Sequence, residues 1–139
     1  MSKYSFGVTS NGRLNTCSFP MQQIAREALA YGIMDFSIAE GSRSDEKQHE
    51  YFLSGASRLD AGDPKAKHNR KPSDAFDAVP YIDGYSYKVA HCCVLAGIIQ
   101  AAAKKIGYKV RWGGDWDMDG EAMTDQQFQD LVHFELVEV

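Results

Sequence analysis

The chain has 139 residues, enough to bury one hydrophobic core without disulfide or metal staples. An apolar fraction of 44% and a charged fraction of 24% are ordinary for a globular domain, and the net charge of −4 argues against a general nucleic-acid binder, whose affinity rests on a basic face. Cys17 and the adjacent pair Cys92 and Cys93 make neither a disulfide framework nor a Cys-x-x-Cys zinc pair, which predicts small core residues in a reducing compartment.

Met1 to Gly7 lacks the apolar core of a secretory signal, and no run approaches the roughly 18 apolar residues of a membrane-spanning helix. The expectation is a soluble product made in the cytoplasm and not a membrane protein. Ser10 to Ser18 reads as polar and turn-rich, with Asn11-Gly12 as a turn. Pro20 opens a predicted helix over Met21–Tyr31, with Ile24, Ala28 and Leu29 on one apolar face. Phe36–Ala39 reads as a short strand ending at Gly41. A helix over Asp45–Leu53 follows, capped by Ser44 and stopped at Gly55.

Ser57 to Ser73 is a long polar loop that carries Pro64, Pro72 and His68, and a loop of this length in a small domain is usually functional or disordered. Its basic stretch Lys65–Lys71 reads as a solvated loop, with anion binding as the alternative. Ala75–Tyr81 is a predicted strand with Asp77 inside an apolar run, where an unpaired carboxylate is costly. Tyr87–Ile106 is the longest predicted helix, expected to pack across the sheet and ended by Gly107. Tyr108–Trp112 is a strand, a short helix lies near Asp125–Gln129, and His133–Val137 is a closing alternating strand. The whole predicts an α+β class: one domain over residues 1–139, with helices on a mainly antiparallel sheet.

The chemistry concentrates on His68, Asp77 and His133. Two imidazoles and a carboxylate form a nitrogen and oxygen donor set suited to Zn²⁺, and Asp130 is a second carboxylate three residues before His133. Each residue has a plainer reading: His68 as a surface histidine, Asp77 capping a helix or pairing with Arg43, His133 as a satisfied histidine on a sheet. Their combination favours a metal-assisted hydrolase in which Asp130 is the base, Arg43 stabilises the oxyanion, and Glu135, on the same strand face as His133, fixes an imidazole. His49 and His91 lie in helical segments and read as structural or surface residues. Asp115, Asp117, Asp119 and Glu121 resemble part of a calcium loop without its closing Glu and read as a solvated acidic loop.

Five segments occur in a specific order: Gly41-Ser42-Arg43-Ser44 with Gln48, Lys67-His68, Ser73 to Tyr81 around Asp77, Trp112-Gly113-Gly114-Asp115-Trp116, and Asp130 to Glu135. On these the chain resembles the zinc D-Ala-D-Ala carboxypeptidase/L-alanyl-D-glutamate endopeptidase family, in particular its small phage endolysins. The resemblance implies a Hedgehog/D,D-peptidase-like fold, with His68, Asp77 and His133 as Zn²⁺ ligands, Asp130 as catalytic base, Arg43 as the substrate- or oxyanion-holding residue and Gln48 in support of the cleft. It implies cleavage of peptidoglycan stem peptides between L-Ala and D-Glu by a monomer with no separate wall-binding domain. Such an enzyme waits in the host cytoplasm until a holin gives it access to the wall, where it acts in the periplasm. Cleavage of D-Ala-D-Ala, or non-catalytic wall binding on the same fold, are the alternatives. The chain departs from the family at Ala66, where Ser is usual, and in the eight residues between His68 and Asp77.

Overall fold

The computed structural model describes residues 3–123, 126 and 129–137. Four strands, β1 (Phe36–Glu40), β2 (Ala75–Pro80), β3 (Val110–Gly113) and β4 (Asp130–Leu136), form one sheet in the order β1-β2-β4-β3, with every pairing antiparallel. The α+β expectation holds. Successive strand residues face opposite sides, so Phe76, Trp112 and Phe134 enter the core while Asp77, His133 and Glu135 face the other way.

Helices cover the core side. In α2 (Phe19–Ala30), Pro20 stands in the first turn, where its missing N–H costs nothing, and Met21, Ile24, Ala25, Ala28 and Leu29 form the buried stripe. α4 (Val89–Lys105) packs on α2 and against β2, β3 and β4, burying Leu95, Ile99 and Ala102 among others. Its predicted ends are each trimmed, by two residues at the start and one at the finish. Cys17 and Cys92 are buried, and Cys93 packs against the core.

One helix overturns the sequence reading. Val8–Leu14, read in part as a turn at Asn11-Gly12, is α1. Tertiary contacts outweigh its weak local propensity. Ser10 Oγ accepts from the Ile38 amide at 3.1 Å and Arg13 Nη1 donates to the Ile38 carbonyl at 3.2 Å, so α1 occupies the backbone groups that the edge strand β1 leaves open.

The second of the predicted helices, α3 (Asp45–Ser54), follows its local signals closely. Ser44 Oγ accepts from the Lys47 amide at 3.1 Å, Asp45 and Glu46 complement the N-terminal dipole, and Gly55 closes the helix at φ 83°. The long loop that follows is ordered by a 3-10 turn, Lys67–Asn69, which buries His68. Strand limits shift by a few residues: β2 stops at Pro80, β3 is Val110–Gly113, and β4 starts at Asp130, so Asp130 is a strand residue and not the end of a turn. The short helix expected near Asp125–Gln129 lies outside the described residues, except for Gln126 and Gln129.

Candidate metal centre

The register of β2 against β4 sets Asp77 directly opposite His133, and Ala75 opposite Glu135. The 3-10 turn brings His68 to the same point: His68 Nε2 is 3.0 Å from Asp77 Oδ1 and 3.1 Å from His133 Nδ1, and His133 Nδ1 is 3.7 Å from Asp77 Oδ1. The longer loop does not keep the pair apart, because the Asp74 amide donates back to the Lys67 carbonyl at 3.1 Å and closes it into a compact return. These three donor atoms form one group with the spacing a metal ion requires.

Each imidazole is oriented from behind. His68 Nδ1 donates to the Gly41 carbonyl at 2.8 Å, and His133 Nε2 donates to Glu135 Oε1 at 2.8 Å. With those nitrogens engaged as donors, the remaining lone pairs face each other beside a carboxylate, an arrangement that requires a proton or a cation between them. The donor set therefore fits a divalent ion such as Zn²⁺. Gly41 can be only glycine here, since a Cβ would overlap the Arg13 carbonyl and Thr16 Oγ1. The plainer reading of Asp77 as a partner of Arg43 does not hold: Arg43 is engaged by Glu40.

Electrostatics follow the geometry. Burial alone would raise the Asp77 carboxyl, yet the two imidazoles hold it well below the usual carboxylate range. Glu135 is likewise lowered against its burial, by His133, Lys67 and Arg111; Lys67 Nζ is 3.6 Å away and Arg111 Nη1 3.2 Å. Asp130 moves the other way. Burial and the negative charge of Asp77 raise it, partly offset by His133, His68 and Arg43, which leaves a carboxylate better suited to accept a proton.

Asp130, His68, His133, Arg43, Gln48 and Trp116 all line one cleft of about 390 Å³. Arg43 is held rigidly at its wall: Nε meets Glu40 Oε1 at 2.5 Å, Nη1 donates to Gln48 Oε1 at 2.9 Å, and the guanidinium lies 4.6 Å from the centre of the Tyr51 ring. Gln48 is 1% exposed and donates onward to Ser57 Oγ and the Leu59 carbonyl, which makes it the strut between α3 and the loop that forms the cleft's other side.

The Trp112–Trp116 segment divides its tasks. The Trp112 indole is buried and donates to the Leu131 carbonyl at 2.8 Å. A Cβ at Gly113 would overlap the Asp130 backbone, and one at Gly114 would strike the Trp112 ring, so the two glycines permit the close approach that seats Asp130. Trp116 packs on His133 with ring centres 5.4 Å apart. Asp115 is buried and accepts from the Gly120 amide at 2.9 Å, and its carboxylate oxygens cluster with those of Asp117 and Asp119. The acidic loop is therefore organised around Asp115 and is not merely solvated.

His49 and His91 stay apart from the centre, paired with Asp60 and Ser86 respectively. Sequence reasoning did not single out Lys67 and Arg111 as supports of Glu135, Glu40 as the partner of Arg43, or the Gly41 carbonyl behind His68. A strand register would have exposed Arg111, which lies opposite Glu135 on β3. Lys67 and Gly41 come from loops and leave no periodic signal.

The family model described as phage L-alanyl-D-glutamate peptidase matches residues 1–137. The chain is 34% identical over 122 residues to the L-alanyl-D-glutamate peptidase of Escherichia phage T5, covering 85% of each. Its fold matches the crystal structure of the Serratia marcescens L-Ala D-Glu endopeptidase ChiX with a TM-score of 0.76 and 26% identity, over 97% of this chain and 92% of that one. No helix among the described residues is long and apolar enough to cross a membrane.

Proposed function

Because the chain belongs to the phage L-alanyl-D-glutamate peptidase family, we propose that it is a zinc-dependent endopeptidase that hydrolyses peptidoglycan stem peptides between L-Ala and D-Glu. The observation that carries this reading is the convergence of His68, Asp77 and His133 in the cleft that also holds Asp130. Held by His68, Asp77 and His133, zinc would supply the positive charge that makes a water acidic near neutral pH and an amide carbonyl more electrophilic.

The remaining work falls to the chain. Asp130 takes a proton from the attacking water and passes it to the leaving nitrogen, and the water's second proton follows, so that one water and one amide become a carboxylate and an ammonium group. Arg43, fixed by Glu40 and Gln48, holds the peptide and stabilises negative charge on the carbonyl oxygen. Glu135 and the Gly41 carbonyl keep the two imidazoles in the tautomers that present lone pairs to the metal. Trp116 packs on His133 and shields the centre on that side.

In the cell the enzyme acts as a monomeric endolysin. It is held in the host cytoplasm until a holin admits it to the periplasm and the wall. The deciding experiment is mass spectrometry of peptidoglycan digested with the protein, with and without a chelator and with zinc restored. New N-terminal D-Glu that vanishes with the chelator and returns with zinc is the expected result. Released D-Ala would instead assign a D,D-carboxypeptidase, and intact peptidoglycan would leave only a binding domain.

A further inference from the structure

Beside the metal-centre cleft lies a second cavity of about 590 Å³, and the two share a wall formed by Leu59, Lys65, Lys67, Trp116 and Glu135. Its size is that of a small-ligand pocket. Lys65, Lys67, Arg70 and Arg111 line it against Glu135, four cations and one carboxylate among the described residues, on a chain whose net charge is −4. Such a concentration of one sign in a concave, partly apolar site focuses its field on a ligand of the opposite sign.

Three of these cations have partners. Lys67 lies 3.6 Å from Glu135 and donates to the Leu136 carbonyl, Arg111 is 3.2 Å from Glu135, and Arg70 is 3.0 Å from Asp74. The exposed Lys65 stands on the shared wall, and its ammonium pairs with no described residue.

The reaction proposed above has a matching asymmetry. Glutamate has two carboxyl groups and continuation of the chain uses one, so the amine side of the scissile bond carries a free carboxylate within one residue of the cut. The alanine side carries none. We propose that the cationic cavity is the subsite for the leaving half of the substrate, with Lys65 binding the free carboxylate of its glutamate. Peptide polarity across the metal centre is then set by charge: the glutamate half lies over Lys65, and the alanine half lies toward the opposite end of the cleft.

This inference rests on the proposed reaction, and its test separates the two. An N-acetylated L-alanyl-D-glutamyl peptide is compared with the same peptide in which the glutamate's free carboxylate is an amide, using the zinc-loaded wild type, Lys65→Met and Lys65→Arg. Amidation should lower wild-type kcat/KM about tenfold or more through KM. Lys65→Met should lose a similar factor on the acidic peptide and discriminate less than twofold, while Lys65→Arg restores the preference. Undiminished preference in Lys65→Met, or none in the wild type, overturns the proposal. Separately, the metal-free protein is titrated with a D-glutamyl peptide bearing a free amine and followed by NMR. Shifts around Lys65 and Trp116 that disappear in Lys65→Met support the subsite even if neither substrate is cut, an outcome that would remove only the reaction; equal binding by both proteins overturns it.

Discussion

Glu135 Oε1 accepts the Nε2 proton of His133 at 2.8 Å, and that bond turns the Nδ1 lone pair toward Asp77 and His68. Glu135 is itself gripped from behind by Lys67 and Arg111, so the orientation of one metal-facing imidazole depends on charges contributed by a loop and a neighbouring strand. Glu135→Ala should weaken zinc affinity about 10–100-fold, the usual effect of removing such a support. Competition titration against a chromogenic chelator measures it, and wild-type affinity would show that His133 is oriented by something else.

Asp130 lines the same cleft without belonging to the metal cluster. Asp130→Ala should therefore keep one zinc per chain while lowering kcat by about 10²–10⁴, the range for loss of a general base. Zinc content and hydrolysis of a defined peptide are read on the same preparation. Unchanged turnover would rule out the assigned role. His68→Ala and His133→Ala should behave in the opposite way and lose the metal first.

Proton and metal compete for His133. In the metal-free protein burial opposes the charged ring, but the bonds to Asp77 and Glu135 and their negative charges prevail and push it up to about 9. That value lies above the 6.5 of an ordinary imidazole, so the proton's stabilisation is complete below about pH 6.5 and is lost as pH rises through about 9. Thermal melts of the metal-free protein should show declining stability across this window, whereas apparent zinc affinity should increase. Calorimetry at pH 7 in two buffers of different ionisation enthalpy should detect proton release on binding; absence of release would contradict the raised imidazole.

Gly41→Ala tests the support of the other imidazole. The new methyl group overlaps Arg13 and Thr16, and the backbone shift that relieves it moves the carbonyl that orients His68. The expected cost is about 1–3 kcal/mol in denaturant unfolding, with weaker zinc binding. Stability loss without any change in zinc affinity would separate packing at Gly41 from its carbonyl's role.

Gln48→Leu removes the strut between Arg43 and the Leu59 carbonyl and strands their polar atoms in a buried place, costing about 1–3 kcal/mol. Peptide hydrolysis should fall about tenfold at full zinc occupancy if Gln48 acts by holding Arg43. Equal loss in Gln48→Leu and the Arg43→Ala, Gln48→Leu pair, relative to Arg43→Ala alone, would show that Gln48 acts independently of Arg43.

The elements with strong local signals were readable from residue order. Ser44 and Gly55 mark both ends of α3, Pro20 marks the start of α2, and the apolar run around Asp77 marks β2. α1 was not readable, because its stability comes from bonds to Ile38, 25 or more residues away, and Asn11-Gly12 locally favours a turn. Gln48 shows the same limit in the cleft: on helix α3 it looks like any polar residue, and only the loop folded over it makes it a buried strut.

For the site, donor chemistry and the ordered family motifs pointed to His68, Asp77, His133, Asp130 and Arg43 as candidates, and the fold gathers the first three and sets the other two in the adjoining cleft. Residue order could not say which nitrogen of each ring faces the other donor atoms, what holds Arg43, or that Lys65 borders a cationic cavity. Those facts depend on contacts between segments far apart in the chain: Gly41 with His68, Lys67 with Glu135, and Arg111 with Glu135. Strand register and loop closure create such contacts, and neither has a local sequence period that could announce it.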